Sequence, residues 1–249
     1  MLYDINGQEL LEAYDINRTS KSTLYDLEGN AIELVPPVQK TTFSILGDSY
    51  STFTGDFLPK NQTTGQSYWT WYDGTKNGVT DKSMTWYRLF EKASGWELDV
   101  NASCSGSPIC YDGYGDGTTD AAWYSFVNRA LETGDSDYIF VFGGTNDSSV
   151  GVSQGDYKYS DWTEEDMQYF RPALAKTLHT LKQNRPNAKI YFIKNTGLSS
   201  AISTSITTIC THYDIPVIAL SSITKSSGHP TAAGMVQIKN QVMSYLNLS

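Results

Sequence analysis

Four short segments of the sequence carry groups that could together attack a carbonyl carbon. Gly47-Asp48-Ser49 places a hydroxyl in a glycine-containing turn, where it can act as a nucleophile. Gly106 offers a backbone N–H and Asn146 a neutral side-chain N–H, the types of donor that stabilise an oxyanion. His229 can accept a proton and return it near neutral pH. Each segment alone is also ordinary turn sequence, so the segments indicate a catalytic site only if the fold brings them together.

The choice of base follows from the small number of histidines, because the chain has three. His179 lies beside Leu178 in a predicted helix, and His212 ends another. His229 precedes Pro230, which predicts an extended link ahead of the last helix. The sequence therefore indicates His229 as the general base.

Five apolar runs predict the strands that would position these segments. β-Branched and aromatic residues dominate them, as is typical of strands buried on both faces. Three of the runs end directly before Gly47, before the Gly106 segment and before Gly143-Gly144. The runs are 42–46, 97–101, 138–142, 188–194 and 216–220.

Helical patterns alternate with these strands. The pattern from Thr163 to Asn184 predicts one long helix with Thr163 as its N-cap and a kink or break at Pro172. Alternation of strands and helices predicts an α/β fold with a five-stranded parallel sheet, whose ligands bind at the carboxyl ends of the strands. The other predicted helices are 83–93, 120–131, 201–213 and 231–246.

The first forty residues differ from the rest of the chain. Leu2-Tyr-Asp-Ile-Asn-Gly7 is repeated as Leu24-Tyr-Asp-Leu-Glu-Gly29, and each copy is an apolar run that ends in a turn signal. We expect residues 1–40 to form a small β-rich N-terminal appendage and residues 41–249 to form the main domain.

Composition excludes several classes of function. The 249 residues carry a net charge of −9, with 18% charged and 13% aromatic residues, which is unlike a disordered chain. An acidic chain without a basic stripe is a poor ligand for nucleic acid and for anionic membranes. No apolar run has the roughly twenty residues of a membrane span. The polar N-terminus is not a signal peptide, so the protein is either cytoplasmic or an export signal has been replaced by the start Met.

Three cysteines are too few for a disulfide scaffold. Cys104 and Cys110 are close enough in sequence to pair in an oxidising compartment, and two free thiols are the alternative. Cys210 lies in an apolar stretch and is expected to be a small core residue.

Taken in order, the four segments resemble the SGNH (GDSL-type) hydrolases and acylhydrolases, over residues 41–249. The resemblance implies a flavodoxin-like three-layer α/β/α sandwich and a serine esterase that works through an acyl-enzyme. It implies Ser49 as the nucleophile and His229 as the base, with the oxyanion held by Ser49, Gly106 and Asn146. It implies no metal or organic cofactor.

The sequence departs from the family pattern three residues before the histidine. The family commonly has Asp there to orient the imidazole, whereas this chain has Ser226. One reading is a Ser–His dyad whose ring is held by Ser226 or by a backbone carbonyl. Another is a carboxylate from elsewhere, such as Asp147 or Asp156. A third is a catalytically weak or inactive domain that binds glycan through the same cleft.

Aromatic residues after the nucleophile indicate a substrate wall. Trp69 and Trp71 are its candidates, because exposed aromatic faces suit sugar rings. We expect the substrate to be a small-molecule or glycan ester, such as a short-chain acyl or acetyl ester on carbohydrate. A second candidate wall follows Asn146 and consists of Tyr157, Tyr159, Trp162 and Tyr169.

Overall fold

The structure is a computed structural model that describes residues 24–25, 31–32, 40–117 and 120–248. The chain divides into two units, Met1–Gln39 and Lys40–Ser249. In the first unit, Leu24–Tyr25 and Ala31–Ile32 pair as short antiparallel strands. The first copy of the predicted repeat lies outside the described residues, and the role of residues 1–40 as a β-rich appendage stays a prediction.

The second unit contains the predicted five-stranded parallel sheet. Its strand order is β2-β1-β3-β4-β5, the order of flavodoxin-like folds. Gly47 at the end of β1 pairs with Ser103 of β2 and with Phe142 of β3. Three strands therefore end at the same place on the carboxyl edge. The strands are β1 Thr42–Gly47, β2 Glu97–Ser103, β3 Tyr138–Phe142, β4 Lys189–Lys194 and β5 Val217–Ala219.

Helices cover both faces of this sheet, because alternate residues of each inner strand face opposite sides. Ile139 and Val141 of β3 are buried in the cluster with α2, α4 and α5. Phe140 and Phe142 are buried in the cluster with α1 and α6. The helices are α1 Trp86–Ser94, α2 Phe126–Arg129, α3 Thr145–Val150, α4 Phe170–Asn184, α5 Ser200–His212 and α6 Ala232–Tyr245.

Two of the predicted helices were wrong in extent. The long helix begins at Phe170 and not at Thr163, since Tyr169 is extended and a separate 3-10 turn occupies Glu165–Gln168. Pro172 therefore lies in the first turn of α4, where its missing N–H breaks no helical hydrogen bond and no kink is required. The helix predicted over 120–131 is reduced to α2, flanked by the 3-10 turns Ala122–Tyr124 and Ala130–Glu132.

The small antiparallel hairpin that accompanies the five-stranded sheet is C-terminal, whereas the sequence predicted the only β addition to this sheet in residues 1–40. Strands β6 (Lys225–Ser226) and β7 (His229–Pro230) pair with Ser226 opposite His229. Ser227 and Gly228 join them, with φ of 48° and 76°. Positive φ at both central residues is the geometry of a type I′ hairpin turn, which matches the twist of the strands.

The three cysteines are free and buried, so Cys104 and Cys110 do not pair. Among the residues that the structure describes, no helix has both the length and the apolar character needed to cross a membrane.

Candidate active site

Ser49 lies at the carboxyl edge of the sheet, immediately beyond β1. The 3-10 turn Ser49–Ser51 begins there, and the Asp48 side chain caps it by accepting the Tyr50 N–H at 3.0 Å. Gly47 is required in this turn, because a Cβ at that position would clash with the Ser103 hydroxyl. The turn leaves Ser49 only 5% exposed.

The Ser49 hydroxyl meets the imidazole of His229. Ser49 Oγ lies 2.8 Å from His229 Nε2, and the Ser227 carbonyl oxygen lies 3.0 Å from Nδ1. A carbonyl can only accept, so Nδ1 carries the proton and donates it to Ser227. The lone pair of Nε2 is then free to accept the hydroxyl proton of Ser49. This pair can generate a serine nucleophile by general-base action.

The surroundings of His229 favour its neutral form. Burial lowers the pKa of the imidazole, and the positive charges of Lys76 and Lys225 lower it further. The hydrogen bond to the Ser227 carbonyl acts in the opposite direction. A lowered pKa keeps the ring unprotonated, and therefore able to act as a base, at neutral pH.

Side chains from the segment after Ser49 hold the hairpin that carries His229. The Asn77 amide donates to backbone oxygens on both strands of the hairpin, at 2.8 Å to Ser226 and at 3.0 Å to His229. Two tyrosine hydroxyls donate to further carbonyls of the hairpin: Tyr50 to Gly228 at 2.5 Å and Tyr72 to Pro230 at 2.7 Å.

Trp71 covers one face of the His229 imidazole. The rings of Trp71 and His229 are stacked, with centroids 3.6 Å apart and planes within 7°. The backbone N–H of Trp71 donates to Thr52 Oγ1 at 2.9 Å, and Lys76 Nζ lies 4.7 Å from the centroid of the indole. Trp71 was predicted as a substrate wall, and the structure places its ring against the base.

The three predicted oxyanion donors lie at the carboxyl edge of the sheet, as Ser49 Oγ does. Gly106 follows β2 with φ of 78°, and Asn146 lies in the first turn of α3. The Asn146 side chain donates one N–H to the Ser107 carbonyl at 2.9 Å, which fixes the amide plane and leaves a second N–H. Within the described residues, the backbone N–H groups of Ser49 and Gly106 have no hydrogen-bond acceptor. Unpaired donors beside a hydroxyl nucleophile can bind a developing oxyanion.

None of the predicted orienting side chains reaches His229. The Ser226 side chain is exposed, and the carbonyl of the next residue, Ser227, takes the place at Nδ1. Asp147 is fully buried elsewhere, where both of its oxygens accept the Ile109 N–H at 3.0 Å. Asp156 is exposed and makes no contact with the ring. The dyad held by a backbone carbonyl is the reading that matches this geometry.

Trp69 is the aromatic residue that faces solvent beside the oxyanion segment. Its side chain is 51% exposed and makes edge contacts with Trp123 at 5.2 Å and Tyr124 at 5.1 Å. Its carbonyl accepts the Ser105 N–H at 2.9 Å, next to Gly106. The exposed indole therefore belongs to the same surface as the candidate oxyanion donors.

The residues of the second predicted wall are separated in the structure, because Tyr159 and Trp162 lie away from the carboxyl edge of the sheet. Tyr159 stacks on His212 at the end of α5, with centroids 3.7 Å apart, and Trp162 lies 5.2 Å from His179 of α4. Tyr157 packs under Arg171, at 4.4 Å. These aromatics, with Tyr169 as the N-cap of α4, cover the outer side of the α4–α5 layer.

Sequence reasoning offered a backbone carbonyl as a partner of His229 without identifying Ser227, and it missed Asn77. The Ser227 carbonyl has no signature, because every residue carries a backbone oxygen. Asn77 was signalled only by Asn77-Gly78, an ordinary turn pair whose asparagine has φ of 55°.

The sequence over residues 41–246 matches the family described as GDSL-like Lipase/Acylhydrolase. Two solved structures named GDSL-like lipases are each 40% identical to this chain. The one from Bacteroides ovatus has a TM-score of 0.78 and the match covers 85% of this chain and 100% of that one. The one from Bacteroides uniformis has a TM-score of 0.77, with coverage of 84% and 97%.

An acetyl xylan esterase from Butyrivibrio proteoclasticus shares the fold, with 16% identity, a TM-score of 0.52 and coverage of 88% and 67%. No curated protein matches the sequence. The family match and the two structures at 40% identity agree with the order of the motifs on the sheet edge. The chain therefore belongs to the SGNH family of GDSL-like lipases and acylhydrolases, which is a family of hydrolases.

Proposed function

We propose that this protein is a serine esterase that cleaves short-chain acyl or acetyl esters of carbohydrates through an acyl-enzyme. The observation that carries the proposal is the pair formed by Ser49 and His229, with 2.8 Å between Oγ and Nε2. Nδ1 of the same ring is occupied by the Ser227 carbonyl, which selects the tautomer that a general base requires.

In the first half of the reaction, His229 Nε2 takes the hydroxyl proton as Ser49 Oγ attacks the ester carbonyl carbon. The carbonyl oxygen becomes an oxyanion, and the N–H groups of Ser49, Gly106 and Asn146 stabilise it. The tetrahedral intermediate collapses, the bond to the alcohol oxygen breaks, and the imidazolium returns its proton to the leaving alcohol. The acyl group remains on Ser49 as an ester.

In the second half, water replaces the alcohol. His229 takes a proton from the water as its oxygen attacks the acyl carbon, and the same donors hold the second oxyanion. Collapse releases the carboxylic acid and returns the proton from His229 to Ser49 Oγ. No cofactor enters these steps, because proton transfer and hydrogen bonding account for all of the charge that develops.

The proposal of a carbohydrate substrate rests on Trp69. Its half-exposed indole lies beside the segment that carries Gly106, so a sugar that bears the scissile acyl group can stack on it. The net charge of −9 disfavours a polyanionic sugar. The likeness to the acetyl xylan esterase is one of fold, and it adds no argument about the substrate.

Hydrolysis of p-nitrophenyl acetate and covalent labelling by a fluorophosphonate test the esterase activity. We expect turnover by the wild-type protein and a label on Ser49 that the Ser49→Ala variant loses. Acetylated xylo-oligosaccharides then test the substrate, and we expect Trp69→Ala to lose activity on them while it retains activity on the aryl ester. A folded wild-type protein that neither turns over nor accepts the label is not an esterase.

One observation favours a second candidate function. Among the described residues, Nδ1 of His229 faces a neutral carbonyl and no carboxylate, and loss of the orienting Asp costs about 10⁴-fold in a serine protease. A domain of this kind could bind glycan at the same cleft without turning it over. Calorimetric titration with a xylo-oligosaccharide, run on the wild type and on Trp69→Ala, separates binding from catalysis.

A further inference from the structure

Arg129 is an unusual residue of this fold because it is fully buried and forms no ion pair within the described residues. A guanidinium stays protonated in proteins, so its positive charge lies in the interior, where Asp48 and Glu132 interact with it electrostatically without reaching ion-pair distance. Burying a charge without an ion pair is unfavourable, and the hydrogen bonds of the guanidinium must offset that cost. The acceptors of these hydrogen bonds show which part of the molecule the Arg129 side chain holds.

The guanidinium of Arg129 joins the ends of two strands to the loop that follows the second. It donates to Gly47 O at 3.1 Å at the end of β1, and to Ala102 O near the end of β2. It also donates to Ser107 Oγ at 2.6 Å. Its Nε donates to Tyr124 O at 2.8 Å, and Ser107 Oγ donates to the same carbonyl at 2.6 Å.

Two of these contacts, those with Gly47 and Ser107, are next to a candidate oxyanion donor. Gly47 precedes Ser49 by two residues, and Ser107 directly follows Gly106. The carbonyl of Ser107 accepts the side-chain N–H of Asn146 at 2.9 Å. One side chain therefore connects, through at most one further residue, the three segments that carry the oxyanion donors.

We propose that Arg129 is the positioning residue of the oxyanion site: its planar fork holds the Gly106 and Asn146 donors in register with Ser49, and its buried charge favours the negative oxyanion. This inference rests on the proposed esterase function. A lysine would keep the charge but present a single ammonium where the fork reaches several acceptors at once. The charge acts through a dry interior, where electrostatic interactions are stronger than in water.

Arg185 provides a matched control. It also donates to backbone carbonyls, at 2.7 Å to Gly134 O and at 3.2 Å to Leu131 O. It caps the C-terminal end of α4, which precedes β4 and so lies at the opposite edge of the sheet. Arg185→Met removes a carbonyl-bonded arginine without touching the segments of the site.

The experiment compares Arg129→Met, Arg129→Lys, Ser107→Ala and Arg185→Met with the wild type. Functional sites are first counted by fluorophosphonate titration, and kcat and KM for p-nitrophenyl acetate are then expressed per titrated site. Inhibition by phenylboronic acid, which forms a charged tetrahedral adduct with the serine, measures affinity for an oxyanion. Melting temperatures report the structural cost of each substitution.

For Arg129→Met we expect kcat per titrated site to fall by about 10²-fold, as for loss of an oxyanion donor, with KM near its wild-type value. The inhibition constant for phenylboronic acid should rise as kcat falls. Arg129→Lys should recover part of both losses, and Ser107→Ala should show a smaller fall. Arg185→Met should lower the melting temperature and leave kcat per site unchanged.

Equal kcat per site and equal boronic acid affinity in Arg129→Met and Arg185→Met would overturn the proposal. If Arg129→Met does not fold, unchanged values in both Arg129→Lys and Ser107→Ala would overturn it instead. A failure of the esterase function appears separately, because the wild type itself would then neither turn over the ester nor accept the phosphonate.

Discussion

The two sides of Ser49 are supported differently. On one side, the oxyanion frame (Arg129, Ser107 and Asn146) is largely buried and tied to the ends of β1 and β2. On the other side, His229 lies on a hairpin whose turn residues, Ser227 and Gly228, are exposed. The donors to an oxyanion must be preorganised to be effective, whereas a base that alternately accepts and returns a proton requires only one good hydrogen bond to its nucleophile.

This difference explains how His229 can be oriented by a carbonyl, with no carboxylate at Nδ1 in the part of the chain that the structure describes. In the Ser-His-Asp arrangement a carboxylate fixes the tautomer and stabilises the imidazolium. Here the Ser227 carbonyl fixes the tautomer, and the Trp71 ring fixes the plane of the imidazole. Neither supplies a full negative charge, so the base depends on its packing more than a triad histidine does.

The largest effect should come from removing either member of the Ser49–His229 pair. We expect Ser49→Ala and His229→Ala each to lower kcat on the order of 10⁶-fold, and the double variant to be no worse, because the two side chains act as one unit. Steady-state hydrolysis of p-nitrophenyl acetate measures this. Additive losses in the double variant would show that the Ser49 and His229 side chains act independently.

Asp48, directly behind the nucleophile, should make stability depend on pH. Burial raises its pKa from 3.8 to about 7, with Asp147 adding to the rise and with the Tyr50 N–H, Thr145 and Arg129 opposing it. Because the folded-state pKa is the higher one, its stabilising contribution is complete below about pH 4 and is lost as the pH rises to about 7. The shift corresponds to about 4 kcal/mol at most.

Asp48→Asn tests this dependence because the amide mimics the protonated acid and can still accept the Tyr50 N–H. We expect the variant to gain stability relative to the wild type as the pH rises from 4 to 7, measured by urea unfolding at each pH. Asp156→Asn, at an exposed position, is the control for the change in formal charge. A difference between Asp48→Asn and wild type that does not vary with pH would contradict the assignment.

Asn146→Ala removes one donor from the oxyanion frame. We expect kcat to fall by about 10²- to 10³-fold with little change in KM, since the amide acts on the charge that develops during the reaction. The melting temperature should change little, because one hydrogen bond to Ser107 O is lost. A rise in KM at constant kcat would show instead that Asn146 binds the ground state.

Much of this arrangement could be predicted from the sequence, and the limits have physical causes. The runs around Ile45 and Phe140 predict buried strands because apolar β-branched and aromatic residues favour strands that are covered on both faces. The carboxyl ends of these two strands bring Ser49 and Asn146 to one edge of the sheet. The hairpin that carries His229 has only two residues per strand, too few for a periodic pattern. The start of α4 was misplaced because the acidic capping pattern at Thr163 stabilises a separate 3-10 turn.

Substitution of Trp71 tests how much its stacked ring contributes to the activity of His229. We expect Trp71→Ala to lower kcat by about 10-fold, because the imidazole loses the ring that fixes its plane, and Trp71→Phe to retain most of the activity through a smaller stack. The control is Trp69→Ala, which removes an indole that faces solvent and should leave hydrolysis of the aryl ester unchanged. Equal losses in Trp69→Ala and Trp71→Ala would assign both indoles to substrate binding.

The smallest effect should be a shift of the pH profile. Burial lowers the pKa of His229, and Lys76 and Lys225 contribute in the same direction against the Ser227 hydrogen bond. Since the neutral ring is the active form, the acid limb of kcat/KM should have its midpoint below the usual imidazole value of 6.5. Lys76→Gln should move that midpoint upward, because the positive charge that lowers the pKa is removed. The shift should be a few tenths of a unit, since a partly exposed charge is screened by solvent.

Salt should also shift the wild-type midpoint upward, and it should shift the Lys76→Gln midpoint less. An acid limb that Lys76→Gln leaves in place would show that the charge of Lys76 does not contribute to the pKa of His229.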